Sequence, residues 1–117
     1  MYSLEEIKST QLSKKLGGPP VFHDGKISRI VFEDRSIILS IEILSDRNPR
    51  LEKNTLVSLK LKNVERFTLA SGNVKDGQLT IHDLDIRRED DGLHMRLETI
   101  EGEISDILFE TIELYEK

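Results

Sequence analysis

The strictest pattern in the chain is alternation. Ile37, Leu39, Ile41 and Ile43 occupy every second position, with Ser40 and Glu42 between them. Successive residues of a strand point to opposite faces, so this spacing predicts a strand with one buried and one wet face. Val57, Leu59 and Leu61 alternate with Ser58, Lys60 and Lys62 in the same way. Leu93, Met95 and Leu97 alternate with His94, Arg96 and Glu98. Ile27 to Phe32 predicts an earlier strand that turns at Asp34-Arg35. A loop is expected through Asp46-Arg47-Asn48-Pro49, whose Pro and Asn are turn formers.

The alternation also breaks. Asn63-Val64-Glu65 interrupts it before Phe67 and Leu69, and the pair Leu79, Ile81 changes parity to Leu84, Ile86 at His82-Asp83. A parity change implies a bulge, a bend or a change of sheet. Asn73 to Gly77 predicts a polar loop. Glu89-Asp90-Asp91-Gly92 is the strongest hairpin signal, because Asp-Gly readily adopts positive φ. Glu101-Gly102 predicts another turn. At the end, Ile104, Leu108, Ile112 and Leu114 share one parity and Ile107 and Phe109 the other, which predicts a last strand partly covered on both faces.

Only the start of the chain reads as helix. Leu4, Ile7, Leu12 and Leu16 fall on one helical face, behind a Ser3 cap and the acids Glu5 and Glu6. Gly17-Gly18 stops that helix and Pro19-Pro20 prevents its continuation. The single alanine, Ala70, set against many isoleucines, favours strands elsewhere. The expected fold is mainly β, in one domain over 1–117. A short N-terminal helix in 1–17 precedes a β region in 21–117. Its six to eight antiparallel strands form either a sandwich or a strongly curled sheet.

Composition narrows the function. The chain has 117 residues, no Cys and no Trp, and a net charge of -5. A disulfide scaffold, a thiolate metal site and a cysteine nucleophile are thereby excluded. The charge is uneven: residues 1–62 carry 11 basic and 8 acidic side chains (+3), and residues 63–117 carry 6 and 14 (-8). That balance argues against a generally basic nucleic-acid binder; the acidic second half can steer a basic partner, and its plainer reading is a solvated acidic face. No apolar run is long enough to span a membrane, and Met1 to Glu6 lacks the basic start and apolar core of a secretion signal. The expected location is cytoplasmic.

Candidate chemistry is sparse. Phe22-His23-Asp24-Gly25 places an imidazole beside a carboxylate, which serves proton transfer or metal binding if a turn brings both to one side. The plainer reading has His23 bonded to the backbone and Asp24 capping a turn. Asp83 and Asp85 share a strand face with Arg87 next along it, and His94, Arg96 and Glu98 make a wet stripe of mixed sign. Lys60, Lys62 and Arg66 form a basic strip without interleaved aromatics, a weak nucleic-acid signal. Glu101 and Glu103 make a charged turn. The candidate partner-binding residues are therefore Asp83, Asp85, Glu89, Asp90, Asp91, Glu101 and Glu103. No catalytic residue, metal or cofactor is expected, and the oligomeric state is left open.

The segment from Gly18 to Ile27, with Phe22, His23 and Asp24 at its centre, resembles the start of the bacterial immunity protein 50 family. Members typically carry a Gly-Trp-Pro-like turn, then Phe-His-Asp and a small residue leading into the first strand. Here Pro19 stands where Trp is common. Thr55 to Glu65 resembles the family's central strand, and Gly92 to Leu97 with Gly102 its late hairpin and closing strand. The resemblance implies a non-catalytic protein of polymorphic toxin systems that binds and blocks a cognate toxin domain, with Phe22-His23-Asp24 as a structural motif. Two alternatives stand beside it: a small metal-dependent or hydrolytic enzyme using His23 and Asp24, and a small-ligand binding β protein.

Overall fold

A computed structural model describes residues 5–69 and 79–116. The loop expected from Asn73 to Gly77 and the cap expected at Ser3 lie outside the described residues. Among the described residues ten elements follow in chain order: α1 (Glu5–Lys8), α2 (Gln11–Leu16), β1 (Lys26–Glu33), β2 (Ser36–Ile43), β3 (Thr55–Lys62), β4 (Arg66–Thr68), β5 (Leu79–Glu89), β6 (Gly92–Thr99), β7 (Ile104–Phe109) and β8 (Thr111–Glu116). The strands pair antiparallel in the order β4-β7-β6-β5-β1-β2-β3-β8.

The alternating residues set the register. Ile37, Leu39 and Ile41 lie opposite Leu61, Leu59 and Val57, and all six are buried. Leu84 and Ile86 lie opposite Leu97 and Met95 in the same manner. The eight strands fall into two halves, β1-β2-β3-β8 and β5-β6-β7-β4. At one side only two register pairs join them, Lys26 with Thr80 and Ile27 with Leu79. At the other side the chain itself turns the corner. The pair β3/β8 continues as β7/β4 through Asn63-Val64-Glu65 on one strand and Glu110 on the other. There Glu110 N donates to Lys62 O at 3.0 Å and Glu65 N donates to Leu108 O at 2.9 Å.

Inner residues of both halves belong to one core cluster, as in a sandwich. Of the two arrangements expected, the strongly curled sheet does not form, because the halves meet at corners and are not closed into a barrel. The expected break at Asn63-Val64-Glu65 and the bulge at His82 are both present. The single last strand is instead two, β7 and β8, in different halves.

The helical start is stepped. α2 begins at Thr10, whose Oγ1 accepts from Ser13 N at 3.2 Å, so α1 and α2 are separate short helices. Gly17, at φ 78°, ends α2 with its N–H on Lys14 O. That left-handed conformation suits glycine because it has no Cβ. Both helices pack against β8, with Ile7 and Leu12 buried in the core. An ion pair from Arg88 to Glu6 ties α1 to β5.

Candidate functional sites

Phe22-His23-Asp24 forms a tight turn ahead of β1. Phe22 is 3% exposed and lies in the core. Gly25 N donates to Phe22 O at 2.8 Å and closes the turn. Asp24 N donates to Ile81 O, and Ile81 N donates to Gly25 O, both at 2.8 Å. The motif thus fastens β1 to β5 at the narrow junction of the two halves.

The turn also brings the two polar side chains together. His23 Nε2 lies 3.5 Å from Asp24 Oδ1. His23 Nδ1 faces the carbonyl oxygen of His82, which fixes the hydrogen on Nδ1. Arg47 donates to Asp24 Oδ2 through Nε at 3.2 Å and Nη2 at 2.7 Å. That hydrogen bond holds the Asp24 carboxyl below its ordinary 3.8. The His82 ring stands edge-on to His23, with centroids 5.5 Å apart. A cleft of about 270 Å³ beside them is lined by Pro19 to His23, Asp83 and Leu84. As a general base the dyad is reversed: in a hydrolytic triad the carboxylate holds Nδ1 and leaves Nε2 for substrate. Here a backbone carbonyl holds Nδ1, and Asp24 faces Nε2.

The acidic candidates separate into two ends of one hairpin. Across the outer face of the second half, Asp83 lies opposite Glu98, and Glu98 opposite Ile104. The bulge at His82 leaves His82 and Asp83 both exposed, one after the other. The turn from β6 to β7 carries Glu101 and Glu103 beside this row, pinned by Ile100 N donating to Thr80 O at 3.1 Å. Ile100 is 57% exposed and Ile104 39%. Two isoleucines therefore stand in solvent among Asp83, Glu98, Glu101 and Glu103. Among the described residues none of these four carboxylates is in an ion pair.

Glu89, Asp90 and Asp91 lie at the opposite end, where β5 turns into β6. His94 Nε2 donates to Asp91 Oδ1 at 2.9 Å and lies 3.7 Å from Glu89 Oε2. Arg66 Nη2, from β4, is 3.7 Å from Asp91 Oδ2. The His94 hydrogen bond, with help from Arg66, holds the Asp91 carboxyl below its ordinary 3.8. Asp85 sits between the two ends, buried and joined to Arg87 at 2.6 Å. Burial raises its carboxyl, but the Arg87 hydrogen bond and nearby positive charge outweigh that, so it lies below its ordinary 3.8.

The three histidines do not converge. His94 lies opposite Arg87, five residues along β5 from His82, or about 16 Å at strand spacing. Of the basic strip, Lys62 is bound to Glu113 at 2.9 Å. A groove of about 670 Å³ between α2, residues 50–56 and β8 touches none of the candidate residues. Phe32 and Phe67 are exposed and stack at 5.4 Å beside a further cleft. Ile100 and Ile104 were given no functional role by sequence reasoning, nor was Arg47, and Glu98 and Arg66 were named only within a mixed-sign stripe and a basic strip. An isoleucine on each side of a Glu-Gly-Glu turn is the one local signal that marks the first two.

No family model matches the chain, and no curated protein does. Among solved structures, a crystal structure of an uncharacterized protein from Neisseria gonorrhoeae is similar. It is 20% identical, with a TM-score of 0.60, over 80% of this chain and 92% of that one. At this identity the likeness extends to the fold alone. No helix of the described residues is long and apolar enough to cross a membrane.

Proposed function

We propose that this chain is a non-catalytic binding protein of the toxin-immunity type, acting in the cytoplasm against a basic protein partner. One observation supports this above the others. Ile100 and Ile104 stand exposed beside Asp83, Glu98, Glu101 and Glu103, four carboxylates in no ion pair among the described residues. An apolar centre with a charged rim is the ordinary anatomy of a protein interface. A rim of one sign steers an oppositely charged partner and makes association salt-sensitive. The resemblance at Phe22-His23-Asp24 names the class of partner, a toxin domain, and the bonds of that motif suit a structural role.

The test is co-expression with the product of the neighbouring upstream gene, scored by cell survival and by pull-down. Protection by the natural chain, lost in Ile104→Arg and in Glu101→Lys/Glu103→Lys, is the expected result. An absence of binding and of protection would sink the reading. Metal-dependent or hydrolytic chemistry at His23 and Asp24 is the second reading. The observation favouring it is that His82 joins them beside a cleft of about 270 Å³. It predicts that His82→Ala abolishes turnover or metal binding without loss of fold.

A further inference from the structure

We propose that the tip of the β5–β6 hairpin binds one divalent transition-metal ion through Glu89, Asp91 and His94. One donor atom from each of the three lies within 4.8 Å of the other two. The separations from His94 Nε2 are 2.9 Å to Asp91 and 3.7 Å to Glu89. With metal bonds of about 2.1 Å, those separations subtend roughly 90° and 125° at a shared ion. Both angles lie within the range of four- and five-coordinate sites. Nε2 gives up its hydrogen to the medium and coordinates, while Nδ1 keeps the remaining one.

The backbone holds the donors in place before any ion arrives. Glu89 lies opposite Gly92, which leaves Asp90 and Asp91 as the turn. His94 is fixed between Arg87 on β5 and Leu108 on β7. Gly92 has φ +136°, and a Cβ there would meet the Phe109 carbonyl oxygen at 2.9 Å. The turn therefore sits hard against β7. Arg66 approaches Asp91 Oδ2, the oxygen that is not directed at His94. It orients the carboxylate and leaves Oδ1 facing inward.

Donor chemistry selects the ion. One imidazole and two carboxylates suit zinc, cobalt, nickel or manganese, and suit magnesium or calcium poorly. Three protein donors leave at least one position for water. Without an ion the same contacts are a hydrogen bond from His94 to one exposed carboxylate beside a second, which stabilises little. The hairpin tip lies roughly 24 Å along β6 from the isoleucine rim, so metal binding and partner binding are separable.

The experiment titrates the full chain with zinc alone, and separately with manganese and magnesium, by calorimetry and amide NMR. We expect saturable one-to-one zinc binding with shifts centred on residues 89–94. His94→Gln and Asp91→Asn are each expected to weaken it by about tenfold or more, with the fold retained by circular dichroism, and His23→Ala to leave it unchanged. The site is overturned by no saturation below about 1 mM zinc, or by equal affinity in His94→Gln. Shifts centred on His23 and His82 would do the same.

Discussion

If Phe22-His23-Asp24 is a structural device, its three residues should differ sharply in what they cost when removed. Phe22 is 3% exposed and packs in the core shared by both halves. Truncating a buried phenylalanine to alanine costs about 3–5 kcal/mol, from lost transfer energy and the cavity left behind. A domain of this size loses about 4 °C of melting temperature per kcal/mol, so Phe22→Ala should melt roughly 12–20 °C lower. His23→Ala removes one side-chain hydrogen bond to the His82 carbonyl, at a half-exposed position where water replaces it. Its cost is about 0.5–1.5 kcal/mol, or roughly 2–6 °C. The assay is thermal and urea unfolding followed by circular dichroism, with partner protection measured on the same variants. A Phe22→Ala loss below about 4 °C would refute the core role. A His23→Ala variant that melts normally yet loses all protection or activity would make the motif functional instead.

The remaining predictions concern single contacts. Asp24 is held below its ordinary 3.8 by Arg47, so its contribution to stability is present above that value and lost as pH falls through the lower folded value. Urea midpoints of the natural chain should therefore decline below about pH 4 more steeply than those of Arg47→Met. Ser58 Oγ is fully buried with no hydrogen-bond partner among the described residues. Ser58→Ala should be neutral or stabilising by up to about 1 kcal/mol in urea unfolding, and a loss above that would reveal a bond to the rest of the chain. Gly92→Ala places a Cβ 2.9 Å from the Phe109 carbonyl oxygen at φ +136°, so it should cost about 1–3 kcal/mol and disturb the amide shifts of the β5–β6 turn.

Much of the sheet was legible in the sequence because alternation is a direct consequence of strand geometry. The inward faces of β2 and β3 follow from it, with Leu39 and Ile41 on one strand and Val57 and Leu59 on the other, while their pairing comes from the fold. The sites were less legible, because each depends on residues brought together from separate elements. Asp24 meets Arg47 of a loop, and Asp91 meets Arg66 of β4. Charge bias pointed to the acidic second half but not to its division between the two ends of the β5–β6 hairpin. That division follows from strand order, which no local spacing reports.

The irregularities share a signature that explains where the corners fall. Within a strand, inward residues are two apart. At four places the step is three: Ile27 to Ile30, Leu61 to Val64, Ile81 to Leu84 and Phe109 to Ile112. Each step coincides with a register shift or a strand break: between Ile27 and Arg29, between β3 and β4, between Ile81 and Asp83, and at Glu110. A step of three puts two consecutive residues outside, and the extra residue bends the strand. At His82-Asp83 it turns the His82 carbonyl toward His23 and leaves Asp83 exposed beside the isoleucine rim. At Glu110 it carries the chain from one half of the sheet to the other. The last strand had apolar residues of both parities for this reason. Ile107 and Phe109 are inward residues of β7, and Ile112 and Leu114 are inward residues of β8 beyond the corner, whereas Ile104 and Leu108 lie on the other face of β7. The proposed partner surface thus depends on a bulge. Deleting His82 would restore even spacing between Ile81 and Leu84, move Asp83 into the place of His82, and remove the main-chain contact that anchors His23.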